Sequence, residues 1–150
     1  TLVKRFNALK YWKAFRLGSP SVALPDVLAV NNPESTIFTI EAKSGTGTTL
    51  QVPFDQIERC LNWVNNFEVY QKREVILAFK FLSKKRIGVA KYEKRVLHEF
   101  YKVWDKTKKP IDFVCTYHGN TYALENGKHK KLVLKDFLMP FTSKHQFFYK

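Results

Sequence analysis

Acidic residues are scarce in this chain, and none precedes Asp26. Across 150 residues, 26 lysines and arginines face 13 acids, a net charge of +13. An excess of that size calls for a polyanionic partner, nucleic acid first and an acidic membrane surface second. Cysteine is rare too. Cys60 and Cys115 are too few and too far apart for a disulfide framework or a zinc site. Cys60 falls on an apolar helical face, where a plain buried thiol is expected. No run of about 18 apolar residues occurs, so no segment spans a membrane. No signal-peptide pattern opens the chain, and a cytosolic (cytoplasmic) location is expected. The four histidines, His98, His118, His129 and His145, have no metal-ligand spacing. No repeat or low-complexity tract appears. What is present is 45% hydrophobic and 15% aromatic residues, enough for one folded domain spanning 1–150.

Periodicity predicts an α/β chain with a central mixed sheet flanked by helices. Leu2, Val3, Phe6 and Leu9 recur at helical spacing. Trp12 to Leu17 reads as a strand, closed by the loop Gly18-Ser19-Pro20-Ser21. Val27 to Val30 and Thr36 to Lys43 read as strands around the turn Asn31-Asn32-Pro33. Ser44 to Thr49 reads as a loop and Pro53 to Asn66 as a helix, with Ile57, Cys60, Leu61 and Val64 on one face. Glu74 to Phe81 is a strand, with Ile87 to Ala90 its expected partner across Ser83 to Arg86. Val96, Phe100, Val103 and Trp104 suggest another helix. Ile111 to Tyr117 and Thr121 to Leu124 read as a hairpin, Leu132 to Leu134 as a further strand, and Asp136 to Met139 as the start of a short helix. The aromatic tail Gln146 to Tyr149 suits packing on the core or a partner.

The chemistry concentrates in Pro25-Asp26 and Glu41-Ala42-Lys43. An antiparallel pairing of the two strands brings Asp26 and Glu41 to one sheet edge. Lys43 shares a face with Glu41, because strand residues two apart point the same way. Two carboxylates can hold a divalent cation, and an ammonium beside them can position an attacking water. Metal-assisted cleavage of a phosphodiester needs those parts. Taken singly, Asp26 reads as a turn residue, and Glu41 and Lys43 as exposed strand positions. Convergence on one edge, followed by a glycine-bearing loop and a helix carrying Gln56, favours a site.

The pattern Pro-Asp, hairpin, Glu-x-Lys-Ser resembles the PD-(D/E)xK nuclease superfamily. The longer run Phe15-Arg16-Leu17-Gly18-Ser19-Pro20-Ser21, with Pro25 to Val30, Ile37 to Ser44, Gln56 and Val75 to Phe79, is similar to the archaeal-type Holliday junction resolvases. The resemblance covers about Leu2 to Phe81. It implies a magnesium-dependent endonuclease, with manganese as a substitute, that cuts four-way DNA junctions as a homodimer. It implies that Asp26 and Glu41 bind the metal, with the Ala42 carbonyl as a further ligand, and that Lys43 orients or helps deprotonate the water. It implies that Ser19 or Ser21 falls near the scissile phosphate, with Ser19 favoured. It also implies that Arg16 contacts the DNA backbone and that Gln56 supports the site from its helix. The family's first helix also carries a glutamate. Its position here falls at or just before Thr1, and this sequence shows no acid there. The alternatives are another nuclease of the superfamily, of restriction or repair type, and a non-catalytic DNA-binding module of the same fold.

Independently of the resemblance, Lys84 to Pro110 holds ten basic residues against three acidic. Lys84, Lys85 and Arg86 lead this surface, and Lys72 and Arg73 extend it. Such contacts grip phosphates without reading sequence. DNA binding should therefore weaken steeply with salt. A log–log plot of affinity against salt concentration tests this; a flat line would remove the phosphate-contact role.

Overall fold

The structure, a computed structural model, describes residues 1–18 and 24–142. Ser19, Ser21 and the tail Gln146 to Tyr149 lie outside the described residues. A six-stranded mixed sheet forms the centre. Its strands are β1 (Trp12–Arg16), β2 (Val27–Asn31), β3 (Thr36–Gly45), β5 (Lys72–Phe81), β8 (His98–Val103) and β12 (Lys135–Asp136), in the spatial order β1-β2-β3-β5-β8-β12. β3 and β5 run parallel, and every other neighbouring pair is antiparallel. The expected mixed sheet is thus present, with a helix on each face.

Alternation along β3 sorts the two cores. Phe38 and Ile40 face one way, into a cluster with Phe6, Trp12, Ala29, Ile76 and Met139. The short helix α1 (Leu2–Asn7) lies on this face and buries Phe6. Phe38 stacks on Trp12 with ring centroids 5.1 Å apart and meets Phe137 edge-on at 5.2 Å. Ile37 faces the other way, with Val75, Leu77 and Phe79, beneath helix α2 (Phe54–Asn66). Ile57, Cys60 and Val64 supply the apolar stripe of α2. Thr39 Oγ1 donates to the Cys60 carbonyl at 3.0 Å and ties helix to strand. Pro53 caps α2 without a side-chain bond; the Phe54 N–H donates instead to Asp112 Oδ1 at 2.8 Å.

A second sheet, in the order β11-β10-β9-β4, completes the α2 side of the core. It consists of β4 (Thr49–Val52), β9 (Phe113–Thr116), β10 (Thr121–Glu125) and β11 (Lys128–Lys131). The β9–β10 hairpin forms as expected. Its turn requires Gly119, where φ is 85° and a Cβ would sit 2.8 Å from the Phe100 ring.

Four expectations change beyond residue 82, and a fifth within Ser44 to Thr49. Val96 to Trp104 is not a helix: it contains β8, because the edge of β5 takes an antiparallel partner there, and a free sheet edge outweighs a helical spacing of four residues. Ile87 to Ala90 therefore does not pair with β5. β6 (Lys84–Gly88) and β7 (Lys91–Lys94) instead form their own two-stranded ribbon. Leu132 to Leu134 is not a strand; the strand comes earlier, as β11, where the Asn126-Gly127 turn folds the chain back on β10. Asp136 to Met139 starts no helix, since β12 pairs with β8 and Lys102 Nζ reaches Asp136 Oδ1 at 2.5 Å. The expected loop Ser44 to Thr49 is shorter, with β3 running to Gly45 and β4 starting at Thr49. Among the described residues, no helix is long and apolar enough to cross a membrane.

Phe38 carries the α1-side core. Phe38→Ala should cost about 3–5 kcal/mol in urea-induced unfolding. A loss below about 1 kcal/mol would contradict this packing.

Candidate active site

Val27 pairs with Ile40 in the β2–β3 ladder, so the next position out sets Asp26 opposite Glu41. The Ala42 N–H donates to Asp26 Oδ2 at 2.9 Å and fixes that carboxylate at the strand end. Glu41 continues the Ile37-Thr39 face and points under α2. It is fully buried. Its Oε1 accepts from Arg59 Nε at 3.3 Å and from the Cys60 thiol at 3.7 Å. Among the described residues, its Oε2 has no hydrogen-bond partner, and neither does the buried Gln56 Oε1.

Burial pushes the Glu41 carboxyl up to about 7, and the negative charge of Asp26 adds to the shift. Arg59 pulls the other way. Burial also pushes the Cys60 thiol up, with Glu41 contributing, so this cysteine is an inert donor and not a nucleophile. Lys43 is half-buried two residues beyond Glu41 on the same face, and none of the four ion pairs among the described residues engages it.

Asp26 and Glu41 thus meet at one end of the sheet, Lys43 follows on the face of Glu41, and Gln56 lies on α2 one turn before Cys60, which contacts Glu41. Arg16 pairs with Val27 and is exposed at the same end, but alternation assigns it to the α1 face along with Ala14. Lys72 and Arg73 do not join the site. Lys72 pairs with Thr36, five positions before Glu41 and roughly 17 Å away along the strand. Lys84, Lys85 and Arg86 follow β5 where it leaves the sheet beside Gly45, at the site end. Two features escaped the sequence reading. Arg59 contacts Glu41 directly; its signal was the spacing of Gln56, Arg59 and Cys60 on one helical face. Strand β11, read Lys128-His129-Lys130-Lys131, is an exposed basic edge outside the 84–110 stretch.

The donor set suits a divalent cation. Glu41 Oε2 and Gln56 Oε1 are left without a donor among the described residues, and the Asp26 carboxylate beside Glu41 accepts from the Ala42 N–H. Magnesium is commonly held by one or two carboxylates and keeps several waters. Among the described residues, no group of three His, Cys, Asp or Glu side chains is arranged to hold a metal. Helix α1 has no acid and packs on the opposite face of the sheet.

A mixed sheet with Pro-Asp entering one strand and Glu-x-Lys leaving the next is the arrangement of a PD-(D/E)xK nuclease. The family model of the archaeal Holliday junction resolvases (Hjc) matches residues 8–126, well over half of the chain, and the chain belongs to that family. It is a junction-resolving endonuclease, and enzymes of this family generally depend on a divalent metal ion. Among solved structures, the chain is similar to Archaeoglobus fulgidus Hjc, a Holliday junction resolvase from an archaeal hyperthermophile. The identity is 21% and the TM-score 0.46, over 78% of this chain and 85% of that one. No curated protein matches the sequence.

The raised Glu41 carboxyl has a consequence for stability. Its ordinary value is 4.5, and the folded value is about 7. Between these values the folded state holds the extra proton, so metal-free stability falls as pH rises through that window. Glu41→Gln removes the effect. Its melting temperature should exceed that of the wild type at pH 8 and match it more closely at pH 5, without metal. Magnesium should raise the wild-type melting temperature at pH 8 and leave the variant unmoved. Equal pH profiles for both proteins would refute the buried-carboxylate assignment.

Proposed function

We propose that Asp26 and Glu41 hold magnesium, with manganese as a substitute, and that the protein acts as a homodimer on four-way DNA junctions. The orphaned Oε2 of the buried Glu41, facing Asp26, is the observation that carries this reading. The Ala42 carbonyl is the further ligand. The Ala42 N–H keeps Asp26 oriented, and Gln56 supports Glu41 from α2. A bound cation would supply Lewis-acid stabilisation of the charge that develops on the phosphodiester. Lys43 orients the attacking water and helps remove its proton. Its place two residues from Glu41, on the same face, supports this role.

DNA contacts fall to Arg16 and to Lys84, Lys85 and Arg86, which lie at the site end. Lys72 and Arg73, at the far end of the sheet, would reach a separate stretch of duplex. Ser19 or Ser21 would approach the scissile phosphate. A two-fold protein on a roughly two-fold junction makes paired cuts natural. The aromatic row Trp63, Phe67 and Tyr70 is the candidate dimer surface, although Phe67 and Tyr70 also pack on the monomer core.

Asp26→Asn and Glu41→Gln should each slow junction cleavage at least about a hundredfold. Junction binding, measured without metal, should stay close to the wild type. Cleavage of four-way junctions should exceed that of linear duplex of the same sequence. A preference for duplex would overturn junction selectivity. A wild type that binds junctions but cuts none with magnesium or manganese would leave a DNA-binding module.

A further inference from the structure

The β6–β7 ribbon leaves the central sheet where β3 and β5 end, at the site edge. Its register pairs Lys84 with Lys94 and Arg86 with Tyr92, so these four side chains share one face. All four are exposed. The opposite face carries Lys85 and Glu93, which line a cleft against Thr116, Tyr117 and His118. The solvent face is therefore cationic, with one aromatic ring. Beyond it the ribbon ends in apolar side chains that no described residue covers: Ile87 is 59% exposed and Val89 87%. The turn residue with φ of 55° is Ala90, so the apolar character continues through the tip.

A two-stranded ribbon is marginal alone. This one is fixed at its root to the strand that carries the site. Arg95 Nη2 donates to the Gly47 carbonyl and Arg95 Nε to the Leu82 carbonyl, each at 2.9 Å. The guanidinium lies 4.5 Å over the Tyr117 ring. The Leu82 N–H donates to the Gly45 carbonyl at 3.0 Å. Gly45 and Gly47 lie two and four residues after Lys43, so the ribbon root is tied to the strand end that holds Glu41 and Lys43.

We propose that this ribbon is a DNA-inserting wedge. Lys84, Arg86 and Lys94 grip phosphates on either side, while Ile87 and Val89 enter between bases at the branch point. The reading rests on the proposed junction cleavage and adds the element that recognises the branch. Apolar side chains flanked by cations are how proteins enter and unstack nucleic acid steps. Charge decides against a second copy of this chain as the occupant. The partner would be equally basic, and a stable protein interface buries roughly 800 Å² per side, more than a few tip side chains offer. A branch point also has bases less constrained than those of duplex, so insertion there costs less. That difference turns an apolar tip into a junction selector. Phosphate contacts follow the path of the backbone and do not sense whether the bases at the branch are stacked.

The test uses the full chain carrying Ile87→Ser and Val89→Ser together, with Val89→Ser alone as the milder variant. Affinities for a four-way junction and for linear duplex are measured in parallel. A 2-aminopurine at the branch point reports unstacking. Junction affinity should fall at least about tenfold, duplex affinity should hold, and the fluorescence rise seen with wild type should vanish. The triple change Lys84→Gln, Arg86→Gln and Lys94→Gln should weaken both substrates and flatten the salt slope. If wild type prefers the junction and the tip variants keep that preference and the fluorescence rise, the wedge is refuted and the cleavage reading stands. If the tip variants instead change the oligomeric state in sedimentation, the tip is a subunit contact and the wedge is likewise refuted. A wild type with no junction preference overturns the functional reading and the wedge with it.

Discussion

A fully buried carboxylate with one oxygen paired and the other orphaned is the constraint around which this structure is built. Glu41 would be costly in any packed core. Here Arg59 offsets part of its charge, the Cys60 thiol adds a weak donor, and the neighbouring Asp26 works against both. The remainder is a deficit that a cation can fill. Stability and the proposed metal-holding role are therefore opposed at this position. The fold keeps Glu41 in place through surroundings that are strongly apolar: α2 sits over it, anchored by Thr39, with Ile57, Cys60 and Val64 in the core.

Strand parity gives the site its direction. β3 sends Ile37, Thr39, Glu41 and Lys43 towards α2, and Phe38, Ile40 and Ala42 the other way. A slip of one residue would drive Glu41 into the aromatic cluster of Phe6, Trp12 and Phe137 and turn Phe38 under the helix. The packing of Phe38 against Trp12 therefore holds register for the strand that carries Glu41 as well as filling core. The parallel β3–β5 pairing extends this control. It fixes β5 in length and direction, and so delivers the ribbon and its lysines to the edge where Glu41 and Lys43 lie.

The first half of the chain was legible because its signals are local. The Asn31-Asn32-Pro33 turn between two β-branched runs sets a hairpin, and the hairpin sets Asp26 opposite Glu41. Ile57, Cys60 and Val64 at helical spacing set α2. The second half depends on long-range pairing that spacing cannot reveal. Phe100, Val103 and Trp104 fit a helix as well as a strand, and the open edge of β5 decides between them. The same edge explains why Ile87 to Ala90 went unpaired with β5: β8 already occupies the position. Arg59 was hidden for a different reason. On a helix rich in polar residues, an arginine reads as surface until a strand carboxylate is placed beneath it.

Charge is distributed by this topology, and the distribution carries more than the total. A net charge of +13 spread evenly would bind any polyanion. Instead Lys84, Lys85, Arg86, Lys91 and Lys94 are drawn out on a ribbon at the site edge, Lys128, Lys130 and Lys131 line a separate exposed strand, and Lys72 and Arg73 sit at the opposite end of the sheet. Cations on separate elements can follow backbone that changes direction. A straight duplex laid across the site edge would engage one group and leave the others in solvent, whereas arms leaving a branch at an angle can meet several at once. Arrangement of the charge, more than its amount, suits the protein to branched DNA.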